Sequence, residues 1–317
     1  MIDLRDIEAA RARIADVAVR TPLVRLHAAE VPDGTEIYLK LEALQPIGSF
    51  KIRGATNAVR TAPDEARARG LVTVSAGNMA QGVAWVGREF GLTATIAVPE
   101  HAPEAKLSAI ERLGGKVVKL PYDDWWRAMV TGAVDGIDGL FVHPVQDERV
   151  MAGNGTIGLE ILDDLPDPAA IVIPFGGGGL TVGIASAIRA LRPETKIYTA
   201  EPATGAAMAA ALPAGEPVDV EYTASFVDGS GSRRVLDPMW PRVREVVDGA
   251  FSVPIADAAA AVRLLAGRAH VVAEGAGALA CAAALAGHAG AGKVVCIVSG
   301  GNIDPAKLAE ILQGGDS

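Results

Sequence analysis

The chain has 317 residues, half of them apolar and 4% aromatic, and its 29 basic and 38 acidic residues give a formal net charge of -9. This acidic balance excludes the basic surface that nucleic-acid-binding proteins need, so neither DNA nor RNA is expected as a partner. The length predicts one globular, enzyme-sized unit with two lobes, because a single core stops growing at about 250–300 residues.

The first predicted element is an amphipathic helix within the N-terminal twenty residues. Ile7, Ala10, Ile14 and Val17 recur there at helical spacing between charged residues. A signal peptide would carry a continuous apolar segment instead, so no export is predicted and the protein is expected in the cytoplasm.

Six short β-branched runs, each followed by a turn and an alanine-rich helical stretch, predict an α/β fold with a mainly parallel, doubly wound sheet. The runs are LVTVSAGN, TATIAVPE, KVVKLP, AIVIPFGGGG, KIYTAEP and KVVCIVSGGN. Their nearly continuous apolar character indicates that both sheet faces are covered. We expect a large domain from residues 1–68 and 147–317 and a small domain from residues 69–146.

Two features near the C-terminus are predicted to be structural. The stretch VVAEGAGALACAAALAG contains a glutamate and three glycines, and it is shorter than the roughly 20 strongly apolar residues of a membrane span. It is therefore predicted as a buried helix, and no membrane partner is expected. Cys281 and Cys296 lack CxxC spacing and are predicted to be reduced core residues, which agrees with a cytoplasmic location.

Three loops that follow predicted strands could bind a ligand, because ligands bind at the carboxyl edge of parallel sheets. The loop SAGNMAQG begins at Ser75, offers the Asn78 amide and free N–H groups, and precedes a helix expected to begin near Gln81. The four glycines at 176–179 predict a phosphate cradle at a helix N-terminus. The loop VSGGN presents Ser299.

The glycine run leaves two alternatives open, a tight turn and a nicotinamide site. Glu201 ends the next strand, where a dinucleotide-binding fold carries an acidic residue. However, Thr181 occupies the position of the last glycine in GxGxxG, so the phosphate of another cofactor is favoured.

Lys51, in the stretch SFKIRGA, is the candidate for covalent chemistry. A lysine amine has a reference pKa near 10.4 and is a weak base at neutral pH, but it can bind an aldehyde as a Schiff base and then carry a proton. Taken alone, Lys51 would be interpreted as a surface residue. The surrounding loops change that interpretation.

The motifs SFKIRGA, SAGNMAQG, GGGGL and SGGN, in this order, resemble the fold-type II pyridoxal phosphate enzymes and, within them, the threonine/serine dehydratase (ammonia-lyase) and serine racemase family. The resemblance extends from residue 21 to residue 304 and implies a two-lobed fold like that of the tryptophan synthase β subunit. It implies that Lys51 bonds covalently to the cofactor aldehyde. The other cofactor-binding residues that it implies are Phe50 and Asn78 beside the ring and its 3-hydroxyl, Gly176, Gly177, Gly178 and Gly179 at the phosphate, and Ser299 opposite the pyridine nitrogen.

The resemblance further implies a lyase that converts a β-hydroxy amino acid, L-threonine or L-serine by default, to a 2-oxo acid and ammonia. The substrate-binding residues that it implies are Ser75, Ala76, Gly77, Asn78, Met79 and Gln81. The alternatives are a 3-hydroxyaspartate or phenylserine dehydratase, a β-replacing synthase, an amino-acid racemase and, outside enzymes, a ligand-sensing protein on the same fold. A homodimer is expected.

Several positions depart from the family pattern. Ala76 stands where racemases carry a serine, which argues against efficient racemisation. Ala207 replaces the aspartate expected six residues after Glu201, so no metal site is predicted. Met79 replaces a histidine and Gly275 a proline.

Two further segments have an open role in substrate choice. YDDWWRAM carries Trp125 and Trp126, and of these two adjacent helical residues at most one is expected to face the cleft. DGSGSRR carries Arg233 and Arg234, either of which could meet a second substrate carboxylate.

Overall fold

The computed structural model describes residues 1–315 and contains ten strands and thirteen α-helices in that range. The strands are β1 (Leu23–Arg25), β2 (Thr35–Lys40), β3 (Leu71–Val74), β4 (Ala94–Pro99), β5 (Gly115–Leu120), β6 (Leu140–Phe141), β7 (Ala170–Pro174), β8 (Lys196–Pro202), β9 (Gly249–Val253) and β10 (Gly292–Ile297). The helices are α1 (Leu4–Ile14), α2 (Lys51–Thr61), α3 (Asp64–Ala68), α4 (Asn78–Glu89), α5 (Glu104–Arg112), α6 (Tyr122–Thr131), α7 (Glu148–Asp164), α8 (Gly179–Leu191), α9 (Ala207–Ala214), α10 (Trp240–Val246), α11 (Ile255–Leu264), α12 (Gly275–Leu285) and α13 (Pro305–Leu312).

The larger sheet has six strands in the order β1-β2-β10-β7-β8-β9, all parallel except for the antiparallel pair β1–β2. Alternate residues of β10 face opposite sides: Val294 and Cys296 join a core with α11 and α12, whereas Val295 and Ile297 join a core with α7 and α8. Helices therefore cover both faces, and the predicted α/β fold class is confirmed.

The smaller sheet has four parallel strands in the order β5-β4-β3-β6. Leu71 and Ile96 pack towards α2, α4 and α5, and Val72 and Ala97 pack towards α6 on the other face. Its strands all lie between Leu71 and Phe141. The division into residues 1–68 and 147–317 and residues 69–146 stays a prediction.

The six strand runs that the sequence predicts are β3, β4, β5, β7, β8 and β10, and four strands were not predicted. Of these four, β1 and β6 have three and two residues. Charged residues interrupt β2, and β9 begins with glycine at the sheet edge. Such strands exist because their neighbours supply hydrogen bonds and burial, which local sequence patterns do not record.

The N-terminal helix is shorter than predicted. Asp3 caps it by accepting the Arg5 N–H, and it ends at Ile14, so Val17 lies beyond it. The C-terminal alanine-rich segment forms α12, whose residues up to Ala284 are buried. Within residues 1–315, no helix combines the length and the apolar character that crossing a bilayer requires.

Cys281 and Cys296 are buried in the core, as predicted. Burial raises the pKa of the Cys281 thiol to about 12. Because the thiolate is the reactive form, Cys281 behaves as a packing residue.

Candidate active site

A cavity of about 390 Å³ is lined by residues that follow strands of both sheets. It brings together all the site residues predicted from the sequence: Phe50, Lys51, Ser75, Ala76, Gly77, Asn78, Met79, Gln81, Gly176, Gly177, Gly178, Gly179 and Ser299. These positions lie far apart along the sequence, and parallel topology places their loops at one edge.

Lys51 is the first residue of α2, and its side chain lines the cavity. Its Nζ donates to the Pro144 carbonyl at 3.1 Å and lies 5.1 Å from the centroid of the Phe50 ring. Burial lowers the pKa of Lys51 to about 8, against the opposing effect of the Glu274 charge. A larger fraction of the amine is therefore neutral at pH 7 than for an exposed lysine.

A buried ion network holds α2 in place two residues after Lys51. Arg53 donates from Nε and Nη2 to the two Glu42 oxygens at 2.8 and 2.9 Å, and from Nη1 and Nη2 to those of Glu160 at 2.7 and 2.9 Å. Lys40 donates to Glu160 at 2.6 Å, and all four side chains are buried. Two cations and two carboxylates balance in charge, so the first turn of α2 is fixed by charge-assisted hydrogen bonds.

The glycine loop follows β7 and leads into α8. Gly178 has a φ of +91°, which favours glycine, and α8 begins at Gly179. A Cβ on Gly177 would lie 2.4 Å from Val145 Cγ2, and one on Gly179 would lie 2.8 Å from the Val145 carbonyl. Side chains are thus excluded by close packing, and the backbone N–H groups at the start of α8 can bind an anion.

The loop after β3 ends in the N-terminus of α4. This helix begins at Asn78 and not near Gln81 as predicted, because the Gln81 N–H already donates to the Gly77 carbonyl at 3.3 Å. The N–H groups of its first turn therefore have no partner within the helix. They lie beside the cavity and favour a carboxylate.

Asn78 is oriented by two polar neighbours. Its Nδ2 donates to Glu274 Oε1 at 2.7 Å, and its Oδ1 accepts from Asn302 Nδ2 at 2.7 Å. Burial raises the pKa of Glu274 to about 7, and the Asp228 charge adds to this effect. Glu274 precedes α12 and was given no role from the sequence, since it comes near Asn78 only through the fold.

Further cavity residues escaped the sequence prediction, and among them Lys106 and Asp228 form an ion pair. Lys106 Nζ, on α5, lies 2.6 Å from Asp228 Oδ2, which follows α9. The two residues are 122 positions apart; Asp228 is the first residue of the DGSGSRR segment, but no local signal pairs it with Lys106. The remaining missed residues are Pro99, Met129, Pro144, Val145, Pro174, Leu180, Gly229, Ser230 and Asn302.

The structure separates the two segments whose role in substrate choice the sequence left open, YDDWWRAM and DGSGSRR. Trp125 lines the cavity, whereas Trp126 is 44% exposed and does not, in agreement with the expectation that at most one faces it. Arg233 and Arg234 are also absent from the lining; Arg234 pairs with Asp219 and Asp237. Ser299 follows β10, is 4% exposed and presents a neutral hydroxyl to the cavity.

Glu201, which the family pattern would make a metal ligand, has another role in this fold. Its two oxygens accept the N–H groups of Met208 and Ala209 at 3.0 and 2.9 Å, so it caps α9. Burial raises the pKa of Glu201 to about 7. In the part of the chain that the structure describes, no group of three or more His, Cys, Asp or Glu side chains is placed to hold a metal ion.

Comparison with known proteins agrees with this geometry. The profile of the family described as pyridoxal-phosphate dependent enzyme matches residues 14–300. The chain is 41% identical to the L-threonine ammonia-lyase of Thermotoga maritima, over 99% of this chain and 79% of that protein. Among solved structures, maize serine racemase has a TM-score of 0.88 and 31% identity over 98% of this chain and 97% of its own, and the T.th. threonine deaminase has a TM-score of 0.85 and 34% identity over 95% and 99%.

Proposed function

Since the chain belongs to the pyridoxal-phosphate dependent enzyme family and pyridoxal phosphate is its cofactor, we propose that it is a lyase that converts a β-hydroxy amino acid to a 2-oxo acid and ammonia. L-threonine and L-serine are the default substrates, because L-threonine ammonia-lyases are 40–41% identical over nearly the whole chain.

The residues of the cavity fit this cofactor. The glycine loop, in which a Cβ would collide with Val145, provides a phosphate cradle, and Lys51 provides a buried amine within the same cavity. Ser299 provides a neutral hydroxyl for the pyridine nitrogen. Phe50 and Asn78 would lie beside the ring.

When bound, pyridoxal phosphate supplies an aldehyde for the substrate amine and an electron sink that makes the substrate Cα–H acidic. The first turn of α4 and the Ser75–Gln81 loop bind the substrate carboxylate. Lys51 Nζ removes the α-proton, which its lowered pKa allows near neutral pH. The proton taken up by Lys51 Nζ and the β-hydroxyl then depart as one molecule of water, and hydrolysis of the enamine product yields the 2-oxo acid and ammonia.

The observation that carries the proposal is that Lys51 lines one cavity with an anion-binding loop and a separate helix N-terminus. Phosphate and carboxylate thus have different sites around one base, which holds the α-proton in a fixed direction. Ala76 offers no hydroxyl to return a proton to the opposite face, so elimination is favoured over racemisation.

The test is an absorbance scan of the purified protein before and after addition of L-threonine and L-serine, with 2-oxo acid measured in the same samples. A cofactor band that shifts while 2-oxo acid accumulates supports the lyase, and Lys51→Ala should abolish the product. A band that shifts without 2-oxo acid would favour a β-replacing synthase or a racemase. A band that ignores every amino acid would favour a ligand-sensing protein.

We also propose a homodimer that uses an apolar patch of Val19, Leu44 and Val272, which are 46%, 51% and 47% exposed. The segments that carry these residues are neighbours: Val19 exchanges two backbone hydrogen bonds with the Gln45 side chain, at 2.9 and 2.8 Å. A Cβ on Gly301 would lie 2.6 Å from the Val272 carbonyl and 3.3 Å from Ala43 Cβ. Leu44→Asp should shift the mass measured by light scattering from dimer to monomer, and an unchanged dimer would exclude this patch.

Two further expectations belong to this proposal. The protein acts in the cytoplasm, which the reduced cysteines support. The two-domain division at residues 69–146 is supported by the strands of the smaller sheet, which all lie within it. Limited proteolysis should cut near these boundaries before it cuts within either sheet.

A further inference from the structure

The proposed positions of the cofactor and the substrate carboxylate leave one wall of the cavity with no ligand group assigned to it. The glycine loop takes the phosphate, the start of α4 takes the carboxylate, and Lys51 faces Cα. The unassigned lining residues on the side of the smaller sheet include Pro99, Lys106, Trp125 and Met129, and Asp228 pairs with Lys106. This wall is available for the substituent on the substrate Cβ.

The apolar part of the wall comes from one face of α6. Trp125 and Met129 are four residues apart, so their side chains share a face of the helix. His143 fixes α6 to the segment that carries Pro144: its Nδ1 accepts the Val145 and Gln146 N–H groups, so its Nε2 carries the hydrogen and donates to the Met129 carbonyl at 2.9 Å. Since Lys51 Nζ donates to the Pro144 carbonyl, α6 and the reactive amine are held in one hydrogen-bonded unit.

The charged part of the wall is already paired. Lys106 donates to Asp228 at 2.6 Å, and Arg233 and Arg234 lie outside the cavity. Within residues 1–315, Lys51 and Lys106 are the only cationic side chains of the lining. A second substrate carboxylate would have to compete with Asp228 for Lys106, the one cation on this wall.

Trp125 itself is held by packing. Its Nε1 is buried with no hydrogen-bond partner, and it is the only such side-chain atom among the cavity-lining residues that the structure describes. The ring packs 5.9 Å from Tyr122 and 6.3 Å from Trp126, measured between centroids. The ring is therefore positioned by its aromatic neighbours and not by a hydrogen bond to another part of residues 1–315.

We propose that Trp125 is the specificity-determining residue of this lyase: it packs on the substituent of the substrate Cβ, selects a methyl group over hydrogen or a carboxylate, and excludes a phenyl ring. The inference rests on the proposed lyase function. Contact with Trp125 should make L-threonine a better substrate than L-serine, threo-3-hydroxyaspartate or phenylserine. One methyl group in an apolar pocket is worth a factor of about 10 or more in kcat/KM.

The test compares kcat/KM for the four amino acids in wild type, Trp125→Ala, Trp125→Phe and Trp126→Ala. Trp126→Ala is the matched control, since it removes an adjacent indole that packs on Trp125 but does not line the cavity, and Val130→Ala, at an exposed position of the same helix outside the lining, is a second control. Trp125→Ala should reduce the threonine-to-serine ratio about tenfold and raise turnover of phenylserine relative to threonine. Trp125→Phe keeps an aromatic wall without the N–H and should retain most of the ratio.

A binding measurement tests whether Trp125 discriminates between substrates when they bind, independently of its effect on the reaction rate. L-Alanine and L-2-aminobutyrate differ by one methylene and have no leaving group, so their Kd values can be read from the cofactor absorbance. In wild type, 2-aminobutyrate should bind more tightly, by about fourfold as expected for one buried methylene. The Trp125→Ala protein should lose this difference, whereas Trp126→Ala should keep it.

The outcomes also distinguish failure of the inference from failure of the proposed function. If none of the four amino acids yields 2-oxo acid, the lyase proposal fails. If threonine and serine are deaminated but Trp125→Ala leaves both ratios unchanged, Trp125 does not determine specificity. Asp228→Asn removes the charge that pairs with Lys106 and should raise kcat/KM for threo-3-hydroxyaspartate. An unchanged kcat/KM would refute the claim that the Lys106–Asp228 pair disfavours a second substrate carboxylate. If Trp125→Ala does not fold, Trp125→Val and Met129→Ala, which also remove apolar surface from this wall, carry the same comparison.

Discussion

Replacing Arg53 by alanine should destabilise the protein more than any single surface change. The side chain is 1% exposed, and those of its partners Glu42 and Glu160 are 0% and 7% exposed. The substitution removes four hydrogen bonds to carboxylates and leaves two buried carboxylates with Lys40 as their only cation. Breaking a buried pair by removing one partner costs about 3–5 kcal/mol, because the remaining charge is desolvated and unpaired.

Urea unfolding of the wild type and of Arg53→Ala measures this difference. Arg5→Ala is the control, because Arg5 pairs with Asp3 at the surface, where the two side chains are 87% and 47% exposed. Loss of such an exposed pair should cost no more than about 1 kcal/mol. Arg53→Lys should fall between the two, because an ammonium has three donors where the guanidinium uses a planar fork.

The pH dependence of this difference provides a stricter test. Burial alone would raise the pKa of Glu42, but the charge and hydrogen bonds of Arg53 hold it below its ordinary value. A carboxylate with a lowered folded-state pKa stabilises the protein above its unfolded pKa, and this contribution is lost as the pH falls. The wild type should therefore lose its advantage over Arg53→Ala in acid. An Arg53→Ala protein within about 1 kcal/mol of wild type at pH 7, or a difference independent of pH, would refute the reasoning.

Three further predictions concern the cofactor site. Gly177→Ala should weaken retention of pyridoxal phosphate during dialysis about tenfold or more, because its Cβ would lie 2.4 Å from Val145 Cγ2, while Gly267→Ala, which meets nothing within 4 Å, should not. The rate of cofactor uptake by apo-protein should rise with pH and level off above about pH 8, since only the neutral Lys51 amine attacks the aldehyde; a rise that continues to pH 10 would contradict the lowered pKa. The kcat/KM of wild type should rise through about pH 7 as Glu274 ionises and orients Asn78, and Glu274→Gln should lack this step.

The sequence by itself determined the fold class and identified most of the loops that line the cavity. Alternation of buried β-branched runs with alanine-rich helices requires a covered parallel sheet, since such strands have no solvent-facing side. The run of glycines after β7 predicts a cradle because no side chain is tolerated there, and Lys51 was identified by the order of four motifs. These signals are local, and they depend on backbone conformation and on side-chain polarity along short segments.

Only the tertiary structure decided what surrounds the reactive groups. The pairs Lys106–Asp228, Asn78–Glu274 and Arg53–Glu160 join residues more than 100 positions apart, and no periodicity relates such positions. The sequence also does not show which of Trp125 and Trp126 lines the cavity. The face of α6 that meets the cavity is set by its packing on β3 and β4. Short edge strands such as β1 and β6 likewise form because neighbouring strands satisfy their hydrogen bonds, a long-range contribution that exceeds local propensity.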